Sequence, residues 1–421
     1  MFRFIHTADI HLDSPLQGLE RYEGAPVDEI RGATRKALGN LIELAIREKV
    51  DFVVVAGDIY DGDWKDHNTG LFFVSQLSKL RDAGIPVIMI SGNHDAANKM
   101  TKTLPLPDNV ELLSHKQSQS ATCSKLAELG VAIHGRSFAE AAEFGNMVRE
   151  YPVKAAGLFN IGLLHTSLDG AEGHAPYAPC TVDELHQKQY DYWALGHVHN
   201  RRIVCDDPPI VFCGNLQGRH VKETGSKGCY LVTVDDVGKC TLVFEPLDVF
   251  RWEVCTVDVS AAERAEDIRS LFLAALSTVM DQHSGLPLAV RVNVTGRCSI
   301  HNELIADPIR WTNDIRAMAL DASGGNVWIE KVKFQTTQRS DTDPELPTDG
   351  PIGELLLYLK EVAADDAQLQ ELSKELADLR KKLPSELIHG EDGVAFDDPA
   401  ELRRRLAEVE PLLLNRIMEN C

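Results

Sequence analysis

The first 250 residues of the chain alternate short apolar runs with segments of helical periodicity. The opening run, Phe2 to Ile5, is followed by Asp28 to Lys49, whose apolar residues recur at helical spacing. The runs Phe52 to Val55 and Val87 to Ile90 come next, with a helical pattern near Leu71 to Asp82 between them. This alternation predicts βαβ units and a largely parallel sheet. Later runs predict a second layer: Val131–Ile133, Ile161–Leu164, Trp193–Leu195, Ile210–Phe212 and Tyr230–Val234.

Two further regions follow this α/β domain, which we place at residues 1–250. Residues 251–339 contain strand and helix patterns in alternation, which predicts a small α+β domain. Residues 340–421 begin with a polar, proline-containing linker and continue as helices, in which leucines repeat every three or four positions from Leu369 to Leu383. These helices either pack on their own chain or present the leucines to a partner helix.

The composition is that of a soluble globular protein, with 44% hydrophobic and 25% charged residues among 421. No stretch reaches the roughly 18 apolar residues of a transmembrane helix, and we expect no membrane association. Charged residues come too early for a secretory signal, and nine cysteines without CxxC pairs favour a reducing cytoplasm. The net charge of −21 repels polyanions globally, but binding depends on the charge near a site.

Residue types that bind metals follow five of the predicted strands directly. In parallel α/β sheets, ligands bind just beyond the carboxyl ends of the strands. Each position alone is more simply explained as a turn, a helix cap or a packed imidazole, but five together indicate one shared site. In chain order the residues are Asp9 and His11, then Asp58, then Asn93, His94 and Asp95, then His165, and finally His197 and His199.

The types of residue in this set indicate the metal and the chemistry. Carboxylates, imidazoles and one amide, with no thiolate, suit Mn²⁺, Fe²⁺ or Zn²⁺ and favour Mn²⁺ or Fe²⁺ over structural zinc. The seven residues of the set other than His94 and Asp95 are too many ligands for one open catalytic ion, but they suffice for two ions that share a carboxylate. Two ions about 3.5–4 Å apart generate hydroxide near neutral pH and neutralise charge on a phosphodiester. The set therefore predicts hydrolysis without a covalent intermediate.

The motifs DIHLD, GDIYD, GNHD and GHVH, together with His165, resemble in order and spacing the signature of the calcineurin-like metallophosphoesterases. The stretches HTADIHLDSPL, FCGNLQGRH and VWIEKVKF are similar to the DNA repair exonuclease branch of SbcD- and YhaO-like proteins. The resemblance implies an α/β fold, a two-sheet sandwich flanked by helices. A small α+β capping domain at residues 251–339 and C-terminal helices would complete the chain.

The resemblance also implies a role for each residue of the set. His94 would stay unligated and stabilise the transition state or protonate the leaving oxygen, and Asp95 would orient His94. Archaeal and eukaryotic repair nucleases carry a second active-site histidine where this chain has Asp61, so we assign Asp61 no role. Asp9, His11 and His199 would hold one ion, Asn93, His165 and His197 would hold the other, and Asp58 would bridge them.

Basic residues after the last of these ligands predict an exposed rim for contacts with a phosphate backbone. Such a cluster would be needed for DNA binding against the acidic background. The alternative is a set of solvated loop charges without a ligand. The predicted rim comprises Arg201, Arg202, Arg219, His220, Lys222 and Lys227.

We therefore expect a two-metal, Mn²⁺-dependent DNA phosphodiesterase or exonuclease located in the cytoplasm. One alternative is a small-molecule phosphodiesterase or phosphatase of the same superfamily. Another, from a different class, is a partner-binding subunit with a structural metal site. The resemblance further implies an SbcC-like ATPase whose coiled coil docks on the C-terminal helices, and a homodimer is an open alternative.

Overall fold

The computed structural model of the chain describes residues 1–14, 27–61, 67–97, 105–169, 176–283, 285–339, 350–383, 396, 398–406 and 409. The predicted linker falls largely at residues 340–349, outside the described residues. Two compact units are present. The first comprises Met1–Val254, His283–Arg291 and Asn326–Glu330, and the second Cys255–Gln282, Val292–Gly325 and Lys331–Cys421.

The first unit contains the predicted alternation of strands and helices, with added short elements. The elements in chain order are β1 (Phe2–Thr7), α1 (Val27–Arg47), β2 (Phe52–Ala56), α2 (His67–Asp82), β3 (Val87–Ile90), α3 (Asn93–Ala97), β4 (Val110–Leu112), β5 (Gln119–Ser120), α4 (Ser124–Glu128), β6 (Val131–Gly135), a 3₁₀ turn (Met147–Glu150), β7 (Phe159–His165), α5 (Val182–Gln187), β8 (Tyr192–Gly196), β9 (Arg202–Asp206), β10 (Pro209–Phe212), β11 (Gly228–Val234) and β12 (Cys240–Pro246).

These strands form two six-stranded sheets, in the orders β12-β11-β1-β2-β3-β4 and β5-β6-β7-β8-β10-β9. Strands β1 to β4 pair in parallel, as do β6, β7, β8 and β10. Strands β11 and β12, at one end of the first sheet, and β5 and β9, at the two edges of the second, pair antiparallel. The predicted α/β fold with two sheets flanked by helices is confirmed, with parallel pairing from β1 to the edge strand β4 and through the middle of the second sheet.

Alternating side chains of the central strands enter two different cores, because successive residues of a strand point to opposite faces. In β2, Phe52 and Val54 join an apolar cluster that includes Ile161 and Tyr192 of the other sheet. Val53 joins a second cluster with residues of α1 and α2. Burial on both faces explains why these strands appear in the sequence as continuous apolar runs.

The remaining described elements are three strands and six helices. Strands β13, β14 and β15 form a three-stranded sheet in that order. None of the described helices combines the length and apolar character needed to cross a bilayer. The elements are β13 (Arg251–Asp258), α6 (Asp267–Asp281), β14 (Leu288–Cys298), α7 (His301–Ala306), α8 (Pro308–Ser323), β15 (Val327–Gln338), α9 (Gly350–Ala364), α10 (Asp366–Glu375) and α11 (Ala377–Lys382).

The leucine repeat near the C-terminus does not lie on one continuous helix, because α10 ends before α11 begins at Ala377. Leu369 is fully buried in a small cluster with Val362 and Leu402. Leu379, further along the repeat, is about half exposed, at 49%. The first part of the repeat therefore packs on its own chain, which is one of the two alternatives that the sequence left open.

We predict that Phe52→Ala lowers the free energy of unfolding by about 3–5 kcal/mol, because it leaves a cavity between the two sheets. The Phe52 ring is fully buried and stacks on Phe4 at a centroid distance of 5.0 Å. Urea denaturation of the metal-free protein measures the change. The control is Val237→Ala at an 87% exposed position, expected within about 0.5 kcal/mol of wild type. Equal losses in both variants would contradict this account of the core.

We predict that His6 makes the protein less stable as the pH falls from about 6.5 toward 3. Burial lowers the pKa of His6 to about 3, so the unfolded chain binds a proton in this range that the folded chain does not. The free energy of unfolding should therefore fall less steeply with acidification in His6→Gln than in wild type. Urea titrations between pH 7 and 4 test this. The exposed His115→Gln serves as the control, and an unchanged slope in His6→Gln would contradict the prediction.

Candidate metal centre

The predicted ligands lie where the central strands of the two sheets end. Strand β7 ends at His165, and the other ligands follow β1, β2, β3 and β8 within a few residues. Several of these residues have left-handed backbone conformations, with φ of 49° at Asp9, 44° at His11, 51° at Asp58 and 95° at His197. Such conformations cost roughly 1–3 kcal/mol for a residue with a side chain and cluster at functional sites.

Main-chain hydrogen bonds hold the loop after β1 against the loop after β2. The N–H groups of Asp9 and His11 donate to the carbonyls of Gly57 and Asp58, at 3.0 and 3.1 Å. A side chain at Gly92, on the loop after β3, would overlap the Asp58 carboxylate. Only glycine allows this close approach of the third loop, so the backbone itself brings the ligand-bearing segments together.

The candidate ligand atoms form three groups, and within each group they lie within 4.8 Å of one another. The groups are Asp9, His11 and His199; His11, Asp58 and His94; and Asp58, His165 and His197, so Asp58 belongs to two of them and His11 connects it to the third. His11 Nε2 is 3.8 Å from Asp58 Oδ2, and His165 Nε2 is 3.3 Å from the same oxygen. The seventh residue, Asn93, places its Oδ1 3.0 Å from His165 Nε2. The structure thus brings all seven predicted ligands together.

The orientation of the imidazoles fits a bound cation. His165 Nδ1 lies 2.9 Å from the carbonyl of Ala56, which can only accept, so Nδ1 carries the hydrogen. In the neutral ring, Nε2 then directs a lone pair toward the oxygens of Asn93 and Asp58. His11 Nε2 and His199 Nε2 similarly face each other at 3.1 Å. Electron-pair donors directed at one point are an arrangement that a metal ion stabilises.

The pKa values show what replaces a cation when none is bound. Burial would lower the pKa of His165, but the Asp58 carboxylate raises it to about 9, so a proton on His165 compensates that charge. Burial would raise the pKa of Asp58, but His165 and His11 hold it below its ordinary value. Burial raises the pKa of Asp9 to about 7. A divalent cation would reverse the shift at Asp9 by stabilising the carboxylate.

Asp61, and not Asp95, contacts His94, which corrects the role expected for Asp95. The Asp95 carboxylate accepts from the N–H groups of Ile59, Tyr60 and Gly92 and so joins two of the ligand-bearing loops. His94 Nδ1 lies 2.9 Å from Asp61 Oδ1. Burial would lower the pKa of His94, but the Asp61 contact raises it. His94 is 37% exposed and is therefore accessible to a substrate.

The predicted basic rim is smaller than expected. Arg219 is largely buried and lies against two carboxylates, Asp61 at 3.3 Å and Glu223 at 3.4 Å. Lys227 is also buried, with Nζ 3.3 Å from the carbonyl of His199. Both are therefore structural cations. The exposed members are Arg201, whose guanidinium lies 3.8 Å from the centre of the Phe244 ring, Arg202, His220 and Lys222.

Two acidic residues of the site were not predicted from the sequence. Asp61 accepts from Ser14 Oγ at 2.5 Å and lies against His94 and Arg219. Glu223 is buried beside His199. The sequence signals were weak: Asp61 follows Asp58 by three residues, and Glu223 lies four residues after Arg219, a spacing that also occurs in ordinary loop ion pairs.

The fold and the clustered ligands define the chain as a metallophosphoesterase. The model for the calcineurin-like phosphoesterase family matches residues 2–201, and the model for the middle domain of the metallophosphoesterase YhaO matches residues 252–337. The chain belongs to the calcineurin-like metallophosphoesterases, and within them to the YhaO branch. Members of this family are phosphoester hydrolases that bind two divalent metals.

Two curated relatives indicate the branch. The chain is 36% identical to the "uncharacterized metallophosphoesterase YhaO" of Bacillus subtilis over 295 residues, which is 70% of this chain and 71% of that protein. It is 28% identical to the DNA double-strand break repair protein Mre11 of Sulfurisphaera tokodaii over 209 residues, 48% of this chain and 50% of the relative. A solved dimetal phosphatase from Danio rerio aligns with 58% of this chain and 98% of its own, at 11% identity and a TM-score of 0.35.

We predict that Asp58→Asn abolishes tight binding of both ions, because Asp58 Oδ2 faces both His11 and His165 and would bridge the two ions that the sequence predicts. Isothermal titration of Mn²⁺ into chelator-treated protein should show two tight sites in wild type and none in the variant. The control is Asp183→Asn at an exposed position on α5. This variant is expected to retain both tight Mn²⁺ sites. Retention of two tight sites in Asp58→Asn would rule out a shared carboxylate, and far-UV circular dichroism checks that the variant folds.

Proposed function

We propose that this protein hydrolyses DNA phosphodiester bonds with two divalent ions, most simply Mn²⁺. The observation that carries the proposal is the set of overlapping groups of ligand atoms in which Asp58 connects His165 and His197 with His11, together with the accessible His94. In this proposal Asp9, His11 and His199 hold one ion, and Asn93, His165 and His197 hold the other. Donors of nitrogen and oxygen without a thiolate suit Mn²⁺ or Fe²⁺.

His94 is the group that acts on the substrate in this proposal. Bound ions of this kind lower the pKa of water and neutralise phosphate charge. With Nδ1 held by Asp61, the other nitrogen of His94, Nε2, is oriented to donate a proton to the leaving oxygen. Burial would lower the pKa of His94, but the contact with Asp61 raises it, which favours the protonated form of the ring. Asp95 acts indirectly, by fixing the loops that carry Asp58 and His94.

Two observations favour DNA over a small phosphoester. Mre11, a DNA double-strand break repair protein by its name, shares 28% identity with half of this chain. Arg201, Arg202 and Lys222 are exposed basic side chains in the segment that follows the last proposed ligand. Cations at such positions supply the phosphate contacts that position a nucleic-acid backbone.

The cellular setting is part of the same proposal. We infer a cytoplasmic location from the unpaired cysteines, eight of which are free among the described residues. A coiled-coil ATPase similar to SbcC is the proposed partner of the C-terminal helices, and a homodimer is the alternative assembly. The exposed Leu357 and Tyr358 on α9 are available for such contacts.

We predict that His94→Ala lowers kcat for DNA cleavage by about 10²–10⁴-fold while leaving both metal sites filled, because His94 donates the proton but binds no ion. Wild type, His94→Ala and the exposed control His115→Ala are assayed with Mn²⁺. The substrates are end-labelled single- and double-stranded DNA, a bis-aryl phosphodiester and an aryl monoester. The loss should be larger on DNA, since its alkoxide leaving group needs a proton more than an aryl oxide does.

The substrates also separate this function from its alternatives. Turnover of the monoester alone would overturn the DNA proposal in favour of a phosphatase. Turnover of the bis-aryl diester without DNA cleavage would favour a small-molecule phosphodiesterase. If fully metal-loaded wild type turns over none of these substrates, the result would favour the remaining alternative, a partner-binding subunit whose metal site is structural.

A further inference from the structure

Glu223 makes a short contact with a proposed metal ligand. It lies between β10 and β11, and its side chain is only 4% exposed. Its Oε1 lies 2.6 Å from His199 Nδ1. Its Oε2 accepts from the Asn215 side chain and from the N–H of Arg219, both at 2.8 Å. A buried carboxylate with both oxygens engaged is held in one orientation, so it can in turn fix its imidazole partner.

We propose that Glu223 is a positioning residue that directs His199 toward one metal position and sets the affinity of that position. The inference rests on the two-metal part of the proposed function. An ionised carboxylate can only accept, so at 2.6 Å the hydrogen of His199 is on Nδ1. The lone pair is then on Nε2, which faces Nε2 of His11 at 3.1 Å. Carboxylates that hold the far nitrogen of a ligating imidazole orient the ring and raise its basicity.

Arg219 stabilises this arrangement from the other side. Its Nη2 lies 3.4 Å from Glu223 Oε1, and its Nη1 lies 3.3 Å from Asp61 Oδ2. Arg219 Nη2 is also 3.2 Å from His199 Nδ1. Arg219 Nη2 and a protonated His199 Nδ1 are both hydrogen-bond donors, so they form no hydrogen bond with each other. The hydrogen on Nδ1 is donated to Glu223. The guanidinium therefore acts on the two carboxylates and keeps them ionised.

The same arginine connects the metal ligand with the proposed proton donor. Asp61 contacts His94 at 2.9 Å, so Glu223, Arg219 and Asp61 form a continuous line of ion pairs between His199 and His94. This line explains why Arg219 is buried and is not part of the exposed rim. Loss of Glu223 would therefore also remove one of the two carboxylates that Arg219 contacts.

The test compares metal affinity in two carboxylate variants of the full chain. Glu223→Gln retains the shape but loses the charge. Glu253→Gln is the matched control, because Glu253 also contacts an imidazole, His283, at 3.2 Å, and His283 is not among the proposed ligands. Isothermal titration of Mn²⁺ into chelator-treated protein should show one of two sites weakened about 10–100-fold in Glu223→Gln. Two sites of wild-type affinity in that variant would overturn the proposal.

A double-variant cycle separates a positioning role from general support of the fold. In a His199→Ala background, Glu223→Gln should have no further effect on Mn²⁺ affinity, because the imidazole that Glu223 orients is gone. A further loss of affinity in this background would show that Glu223 acts on the site through the fold, and the proposal would fail. If Glu223→Gln does not fold, Glu223→Asp is used, whose carboxylate is one methylene shorter and is withdrawn from His199.

These measurements involve no DNA, so the two proposals can fail separately. Wild type that binds two ions but cleaves no DNA would overturn the proposed substrate and leave the role of Glu223 intact. DNA cleavage by a Glu223→Gln protein with two unaltered sites would overturn the role of Glu223 alone.

Discussion

The site is organised around one buried charge, the carboxylate of Asp58, which is only 1% exposed. A buried carboxylate is costly unless a cation or hydrogen bonds compensate it. Oδ1 accepts from the N–H of His94, while Oδ2 faces His11 and His165. Burial would lower the pKa of His165, but the charge on Asp58 raises it. A divalent cation held by these residues would compensate the same carboxylate, so we expect metal affinity to depend on pH.

The strained loops around Asp58 depend on the rigidity of the sandwich beneath them. His11 and His197 adopt left-handed conformations that few residues with side chains occupy. Such conformations persist only where the surrounding structure determines them. Here β8 is fully buried and β1 is buried except at Arg3, and Asp95 joins the loop after β2 to the loop after β3 through three N–H groups. Asp95, which was expected from the sequence to orient His94, thus supports the backbone of the loops that carry Asp58 and Asn93.

The sequence predicted that the proposed ligands lie close together because a simple geometric rule connects them: each lies at or just after the end of a central strand, and the carboxyl ends of parallel strands share one edge. The rule does not extend to the residues that support the ligands. Arg219 and Asp61 are 158 positions apart, and their contact depends on how two long loops cross. Asp95, next to His94 in sequence, was the natural candidate for its partner. Yet adjacent side chains on a short helix such as α3 do not face each other, which is why Asp61 takes that role.

Some of the basic side chains near the site are buried and others are exposed. This division bears on how a chain with a net charge of −21 could bind the proposed substrate, DNA, which is itself a polyanion. Arg219 and Lys227 lie among acidic groups in the interior and contribute little field outside the protein. Asp9 and Asp58, in turn, are counted in the net charge but are directed at the proposed ions, where two divalent cations would more than offset them. With both proposed ions bound, the charge at the centre would therefore differ in sign from the charge of the whole chain.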